Sequence, residues 1–137
     1  MMKQEIVVAK PPIYDLIAER FDIEGKPVIF SWGSRIYNPT GFTISNALLA
    51  HEAVHGERQT DEDIDIRAWW YEYLAEPEYR LAEELPAHIA EYRYLCDAEP
   101  DRNRRAQYLS AIAHRLSSPL YGNIVSYPTA MKAVRKA

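Results

Sequence analysis

The sequence predicts one α+β domain: a short N-terminal sheet, a central helix and a mostly helical C-terminal half. Three observations predict it. Short β-branched and apolar runs, punctuated by proline and glycine, are confined to the chain before Asn38. From Ile44 onward, apolar residues recur at helical spacing instead. The length of 137 residues suits one domain spanning residues 1–137, and an apolar fraction of 47% suffices for its core.

Glu5-Ile6-Val7-Val8-Ala9 is apolar and β-branched, and Pro11-Pro12 ends it as a strand. Ile13, Leu16, Ile17 and Phe21 have helical spacing, and proline just before suits a first turn. Glu24-Gly25-Lys26 marks a turn. Pro27 to Trp32 reads as a second strand, and Gly33-Ser34 breaks it so that Arg35-Ile36-Tyr37 pairs back as a hairpin. Asn38-Pro39-Thr40-Gly41 is a further turn signal.

The next helix carries Leu48-Leu49-Ala50-His51-Glu52-Ala53-Val54-His55-Gly56. Thr43 or Ser45 offers the N-cap, because a side-chain oxygen there accepts from a free backbone N–H. The pattern H-E-x-x-H places His51 and His55 four residues apart, hence on one face. Two imidazoles one turn apart can hold a divalent metal, usually zinc. Glu52 is then placed to act as general base towards a metal-bound water.

Gly56 to Thr60 closes that helix. Asp61-Glu62-Asp63-Ile64-Asp65 lacks the spacing and glycine of a calcium loop, so it reads as a solvated loop or a helix start. Arg67 to Ala75 is a helix with Trp69, Trp70, Tyr73 and Leu74 inward. Glu78 to Tyr92 is helical, with Pro86 either inside it or at its start. Asp97 to Asp101 is a loop. Arg104 to Leu116 is a helix with Tyr108, Leu109, Ile112, Ala113 and Leu116 on one stripe. Ser117-Ser118-Pro119 breaks it, Leu120 to Asn123 is a loop, and Thr129 to Arg135 forms a last helix.

Composition excludes several functions. The net charge of -4 and the short basic clusters Arg102-Asn103-Arg104-Arg105 and Arg135-Lys136 argue against a nucleic-acid surface. A single cysteine, Cys96, rules out an internal disulfide and a cysteine-based zinc site. Met1 to Ile6 has no apolar segment of signal-peptide length, and no stretch is long and apolar enough for a membrane span. The expectation is a protein made in the cytoplasm, and a place in a virus particle is compatible with it.

The central helix resembles the active-site helix of zincins, the H-E-x-x-H zinc metallopeptidases, and among them the very small single-domain members of phage and bacterial genomes. Zincins usually keep the position two after the second histidine apolar, and here it is Glu57. The resemblance implies a zincin-like domain in which an edge strand beside the metal holds an extended peptide by strand addition. It also implies a third protein ligand, a glutamate on a later helix.

Glu83 and Glu84 both lie at a plausible distance, with 27 or 28 residues between His55 and the candidate. At about 100° per residue, Leu81, Leu85, His88, Ile89 and Tyr92 form one stripe. Glu84 lies at its edge and Glu83 points almost directly away, which favours Glu84. Glutamate-zincins often carry E-x-x-A-D with the ligand first. Glu84-Leu85-Pro86-Ala87-His88 follows that pattern up to its last position. Three roles are open to His88: orienting a ligand, binding the metal itself, or stabilising an oxyanion. Tyr121, beside Gly122, is the candidate for stabilising a tetrahedral intermediate.

The implied function is zinc-dependent hydrolysis of peptide (amide) bonds. Zn²⁺ is held by His51, His55 and Glu84, and Glu52 is the base. The partner is then a peptide or protein, cell-wall peptide crosslinks included. The alternative is a catalytically inactive zincin-like protein with a structural or assembly role, for example in a phage particle.

Overall fold

The computed structural model describes residues 2–61 and 65–137. Its strands are β1 (Glu5–Val7), β2 (Phe30–Trp32) and β3 (Arg35–Tyr37). Its helices are α1 (Tyr14–Arg20), α2 (Asn46–Gln59), α3 (Ile66–Ala75), α4 (Pro77–Asp97), α5 (Arg102–Leu116) and α6 (Tyr127–Lys136), with a 3₁₀ turn at Pro119–Tyr121. The α+β class expected from the sequence is the class observed. Among the described residues no helix is long and apolar enough to cross a membrane.

The sheet order is β1-β3-β2. β1 runs parallel to β3, with Ile6 opposite Ile36, so the chain must cross over between them; α1 lies on that crossover. β2 pairs antiparallel with β3 through the expected Gly33-Ser34 hairpin, with Ser31 opposite Ile36. β2 is therefore an edge strand, but one of its carbonyls is already used. The Ser31 carbonyl accepts from Gln59 Nε2 at 3.0 Å and from Trp70 Nε1 at 3.1 Å. A carbonyl oxygen has two lone pairs, so these donors fill it.

Ser45, not Thr43, caps α2: its hydroxyl accepts from Leu48 N–H at 3.1 Å. At the other end Gln59 is fully buried. It donates to Ser31 and accepts from Gly33 N–H at 2.8 Å, fastening the hairpin to α2. Gly56 lets the two touch. A Cβ there would meet the Gly33 carbonyl oxygen at 2.6 Å and Gln4 Nε2 at 2.5 Å. Glu57, the departure from the zincin pattern, is exposed and accepts from Met2 N–H. Within the acidic run, residues 62–64 lie outside those described, and Asp65 caps α3 by accepting from Arg67 N–H at 3.0 Å.

Two apolar cores form. One joins Tyr14, Ile17, Ile23 and Phe30 to Trp69, Trp70, Tyr73 and Leu74 of α3. The other joins Leu109, Ile112, Ala113 and Leu116 of α5 to Ala130 and Val134 of α6. α4 stands between them, packed on α2, α3, α5 and α6. Its apolar stripe, Leu81, Leu85, Ile89 and Tyr92, lies against the second core. Pro86 is inside α4 rather than at its start. A helix held on several sides can lose one backbone hydrogen bond and stay helical.

Gln59→Leu leaves the buried Gly33 N–H without its acceptor. We expect a loss of about 1–3 kcal/mol, read as a lower urea midpoint at unchanged slope. A midpoint within error of wild type would show that the hairpin is held elsewhere.

Candidate metal centre

α2 presents His51, Glu52 and His55 to α4, which presents Glu84, His88 and Glu91 in return. All six side chains are buried, none more than 6% exposed. Ionisable groups are rarely so deep unless paired or metal-bound. The spacing explains the encounter. His51 and His55 are one turn apart on α2, and Glu84, His88 and Glu91 follow one face of α4 at intervals of four and three.

Glu84 faces both motif histidines. Its Oε1 lies 3.4 Å from His51 Nε2 and its Oε2 lies 3.2 Å from His55 Nε2. Tyr73 Oη donates to Oε2 at 2.5 Å. The nearby His55 and His51 hold the Glu84 carboxyl well below the usual carboxylate range, against the opposing effect of burial. Glu52 Oε2 is 3.7 Å from His51 Nε2. Ser31 Oγ lies 3.0 Å from the Glu52 carbonyl oxygen and 3.3 Å from its Oε1. Burial raises the Glu52 pKa, with His55 and His51 opposing.

His51 Nδ1–H donates to Glu91 Oε1 at 2.9 Å, which leaves Nε2 turned towards Glu84 and Glu52. A histidine that ligates a metal is usually fixed in this way by a carboxylate on its other nitrogen. Burial disfavours charge on His51, yet hydrogen bonds to Glu84 and Glu91 raise its pKa to about 9. The same carboxylates favour any cation at that nitrogen. Arg115 Nη2 donates to Glu91 Oε1 and holds it in place.

His88 sits in the cluster, but both of its nitrogens are engaged. Nδ1–H donates to the Glu84 carbonyl at 2.8 Å, and Nε2 accepts from Arg115 Nε at 3.4 Å. Burial, with His51 and Arg115 beside it, pushes its pKa down to about 3, so the ring is neutral. Of the three roles open to His88, orienting the backbone that carries Glu84 matches these contacts best.

Glu83 is buried too, which the stripe argument did not anticipate. It accepts from Trp69 Nε1 at 2.6 Å and pairs with Arg58 Nη2 at 2.6 Å. Trp69 in turn packs edge-on to His55, with centroids 5.7 Å apart. α4 thus has a polar face on α2 and α3 beside its apolar stripe, and Glu84 lies on the former.

Tyr121 is half-buried on the 3₁₀ turn, its ring centroid 5.2 Å from that of His88. The turn is fastened by Arg80, which is almost fully buried. Its Nη1 donates to the Tyr121 carbonyl at 2.9 Å, and Nε and Nη2 donate to the carbonyls of Tyr73 and Leu74 at the end of α3. A cation at a helix C-terminus is favoured by the helix dipole. Gly122 has φ +84°, and a Cβ on it would lie 2.9 Å from Arg80 Nη1, so glycine is required there.

The donor set fits a metal ion. Ligand atoms of His51, Glu52 and His55 lie within 4.8 Å of one another, as do those of His51, Glu84 and His88. Among the described residues Glu84 Oε1 is buried with no hydrogen-bond partner, and a cation between it and the His51 imidazole would give it one. His55 Nδ1 is without a partner there too, but the His55 atom that faces Glu84 is Nε2. The expected trio of His51, His55 and Glu84 is brought together through the two oxygens of Glu84. Glu91, Arg115 and Tyr73 went unread in the sequence as parts of this centre, and Glu83, weighed there as an alternative to Glu84, instead pairs with Trp69 and Arg58. Only Glu91 left a signal: it lies seven residues after Glu84, two turns along the same face.

No family model, curated protein or solved structure matches the chain. The centre rests on its own geometry.

Glu91→Gln keeps the size of the side chain and removes its charge. We expect metal affinity to fall about 10–100-fold, measured by competition with a chromogenic chelator, with the far-UV spectrum unchanged. Equal affinity in the two proteins would separate Glu91 from the metal site.

Proposed function

We propose that this chain is a zinc-dependent hydrolase of peptide bonds, akin to the H-E-x-x-H metallopeptidases. The observation that carries the reading is the Glu84 carboxylate, brought from α4 to face both histidines of the α2 motif. His51, His55 and Glu84 would hold the zinc. Two histidines and one glutamate form a ligand set known for catalytic zinc, leaving a coordination position open. When bound, the metal supplies Lewis acidity, lowering the pKa of water and polarising a carbonyl.

The chain's own residues do the rest. Glu52 is the general base: it takes a proton from the attacking water and returns it to the leaving amine. Its raised pKa suits that exchange, because a base poised closer to neutrality can both accept and donate. Ser31 Oγ holds its carboxylate in place. Glu91 and Arg115 fix the orientation of His51. Tyr121, whose phenol is raised well above its ordinary pKa by burial and by Glu84, keeps its proton and can donate it as a hydrogen bond to a developing oxyanion.

A second reading is favoured by the depth of the site. Side chains so fully buried also suit a structural metal joining α2 to α4 in an inactive protein with an assembly role.

Two variants separate the readings. Wild-type protein should carry about one zinc per chain by mass spectrometry, and His51→Ala should lose it. Glu52→Gln should keep the zinc while peptide hydrolysis drops about 10²–10⁴-fold. A zinc-loaded wild type as inert as Glu52→Gln towards a mixed peptide library would leave the structural reading standing.

A further inference from the structure

We propose that the end of the helical half where α5 begins and α6 stops is a docking surface for an acidic segment of a partner protein. It stands apart from the hydrolase reading and holds equally for a structural protein. Charge is divided unevenly along the chain. Residues 1–92 hold eight lysines and arginines against seventeen aspartates and glutamates, whereas residues 93–137 hold eight against three. A split of this kind bears on association rather than on the fold.

The fold gathers cations that the sequence keeps apart. Arg102-Asn103-Arg104-Arg105 and Arg135-Lys136 are each too short to make a surface alone. α6 runs antiparallel to α5, because Tyr127 at its start lies over the second half of α5. Tyr127 Oη is 3.1 Å from Ser110 Oγ, and its ring stacks on that of His114 with centroids 4.1 Å apart. The end of α6 therefore returns to the start of α5. Burial raises the pKa of the Tyr92 phenol on α4, and Arg105 and Arg135 both oppose it, so one arginine from each helix reaches the same ring. Ala130 and Val134 are buried against α5, and Lys132, Arg135 and Lys136 share an exposed face of α6 at intervals of three and four.

Two observations point outward. Cations in the last turn of α6 are favoured by its dipole, but Arg102, Arg104 and Arg105 crowd the first turn of α5, where the dipole opposes them and no acid offsets it. Little inside the molecule satisfies these charges either. Arg104 lies 3.5 Å from Glu99. Among the described residues Arg102, Lys132, Arg135 and Lys136 have no ion-pair partner. Carboxylates from outside would relieve both costs, and guanidinium groups pair with them in a two-pronged way. The patch suits a peptide better than a nucleic acid. Asp97 and Asp101 are exposed between α4 and α5, so the positive charge comes in separate groups. Acidic side chains on a flexible chain can match separate groups, whereas an unbroken line of phosphates must pass those two acids.

A peptide of six Glu-Ser repeats and heptathymidylate carry equal negative charge, and both serve as labelled probes. Each is titrated with the full chain at low salt and followed by fluorescence anisotropy. We expect the peptide to bind tighter than heptathymidylate, and to weaken as salt rises to about 0.15 M, where screening sets in over about 8 Å. Arg102→Glu combined with Arg135→Glu should weaken peptide binding at least about tenfold. Lys3→Glu combined with Arg67→Glu makes the same change in net charge elsewhere and should leave binding within about threefold of wild type. No peptide binding at low salt, an equal effect of the two double variants, or equal or tighter binding of heptathymidylate overturns the docking surface. Salt-sensitive self-association of wild type in sedimentation, lost in Arg102→Glu with Arg135→Glu, overturns it too, because a second copy is then the occupant. The wild-type comparison of the two probes decides the matter even if a variant fails to fold.

Discussion

The contact between Glu84 and the two motif imidazoles is the interaction on which the rest of the molecule depends. It places a carboxylate and two titratable rings where water is nearly absent. Such groups are costly to bury unless they satisfy one another, and removing one partner from a buried pair is strongly destabilising. α2 and α4 must therefore meet in one register. The two apolar cores lie on either side of that seam, one built on α3 and the first half of the chain, the other on α5 and α6. Hydrophobic burial holds the halves together; the polar seam decides how they align.

Each motif histidine has its own buttress, and both start from α4. Glu91 reaches His51 directly and is steadied by Arg115 of α5. Glu83 reaches His55 indirectly, by pinning the Trp69 indole that packs against it, and is steadied by Arg58 of α2. Arg80 adds a third tie, from α4 to the end of α3 and to the turn bearing Tyr121. A loosely held cluster loses its geometry before it loses its residues, so these outer contacts matter as much as the side chains they hold.

Much of this was legible in the sequence. The hairpin at Gly33-Ser34, a cap at Thr43 or Ser45, the inward aromatics of α3 and the α5 stripe follow from local chemistry and spacing. So does the pairing of His51 with His55. Glu84 was reached over Glu83 by helical angle, but the angle was measured from the wrong face. The apolar stripe of α4 points to α5 and α6, and the centre lies on the polar face next to it. One amphipathic stripe describes a helix at the surface; a helix enclosed by neighbours has several buried sides, and a polar one is invisible to hydrophobic periodicity. Arg115 approaches from another helix, so no local pattern announces it. Pro86 left the start of α4 open for the same reason: its cost is local, and the packing that overrides it is not.

Gly56 follows His55 directly and touches the backbone of the hairpin at Gly33. It has no side chain to offer the buried cluster, yet it is as constrained as the histidines. The smallest side chain would push the hairpin off α2, and with it Ser31, which steadies Glu52. The chain thus writes its architecture into the residue beside its second buried histidine. A relative with this hairpin seat should read H-E-x-x-H-G, and one with a larger residue after the second histidine must carry its first sheet at a different height on the helix.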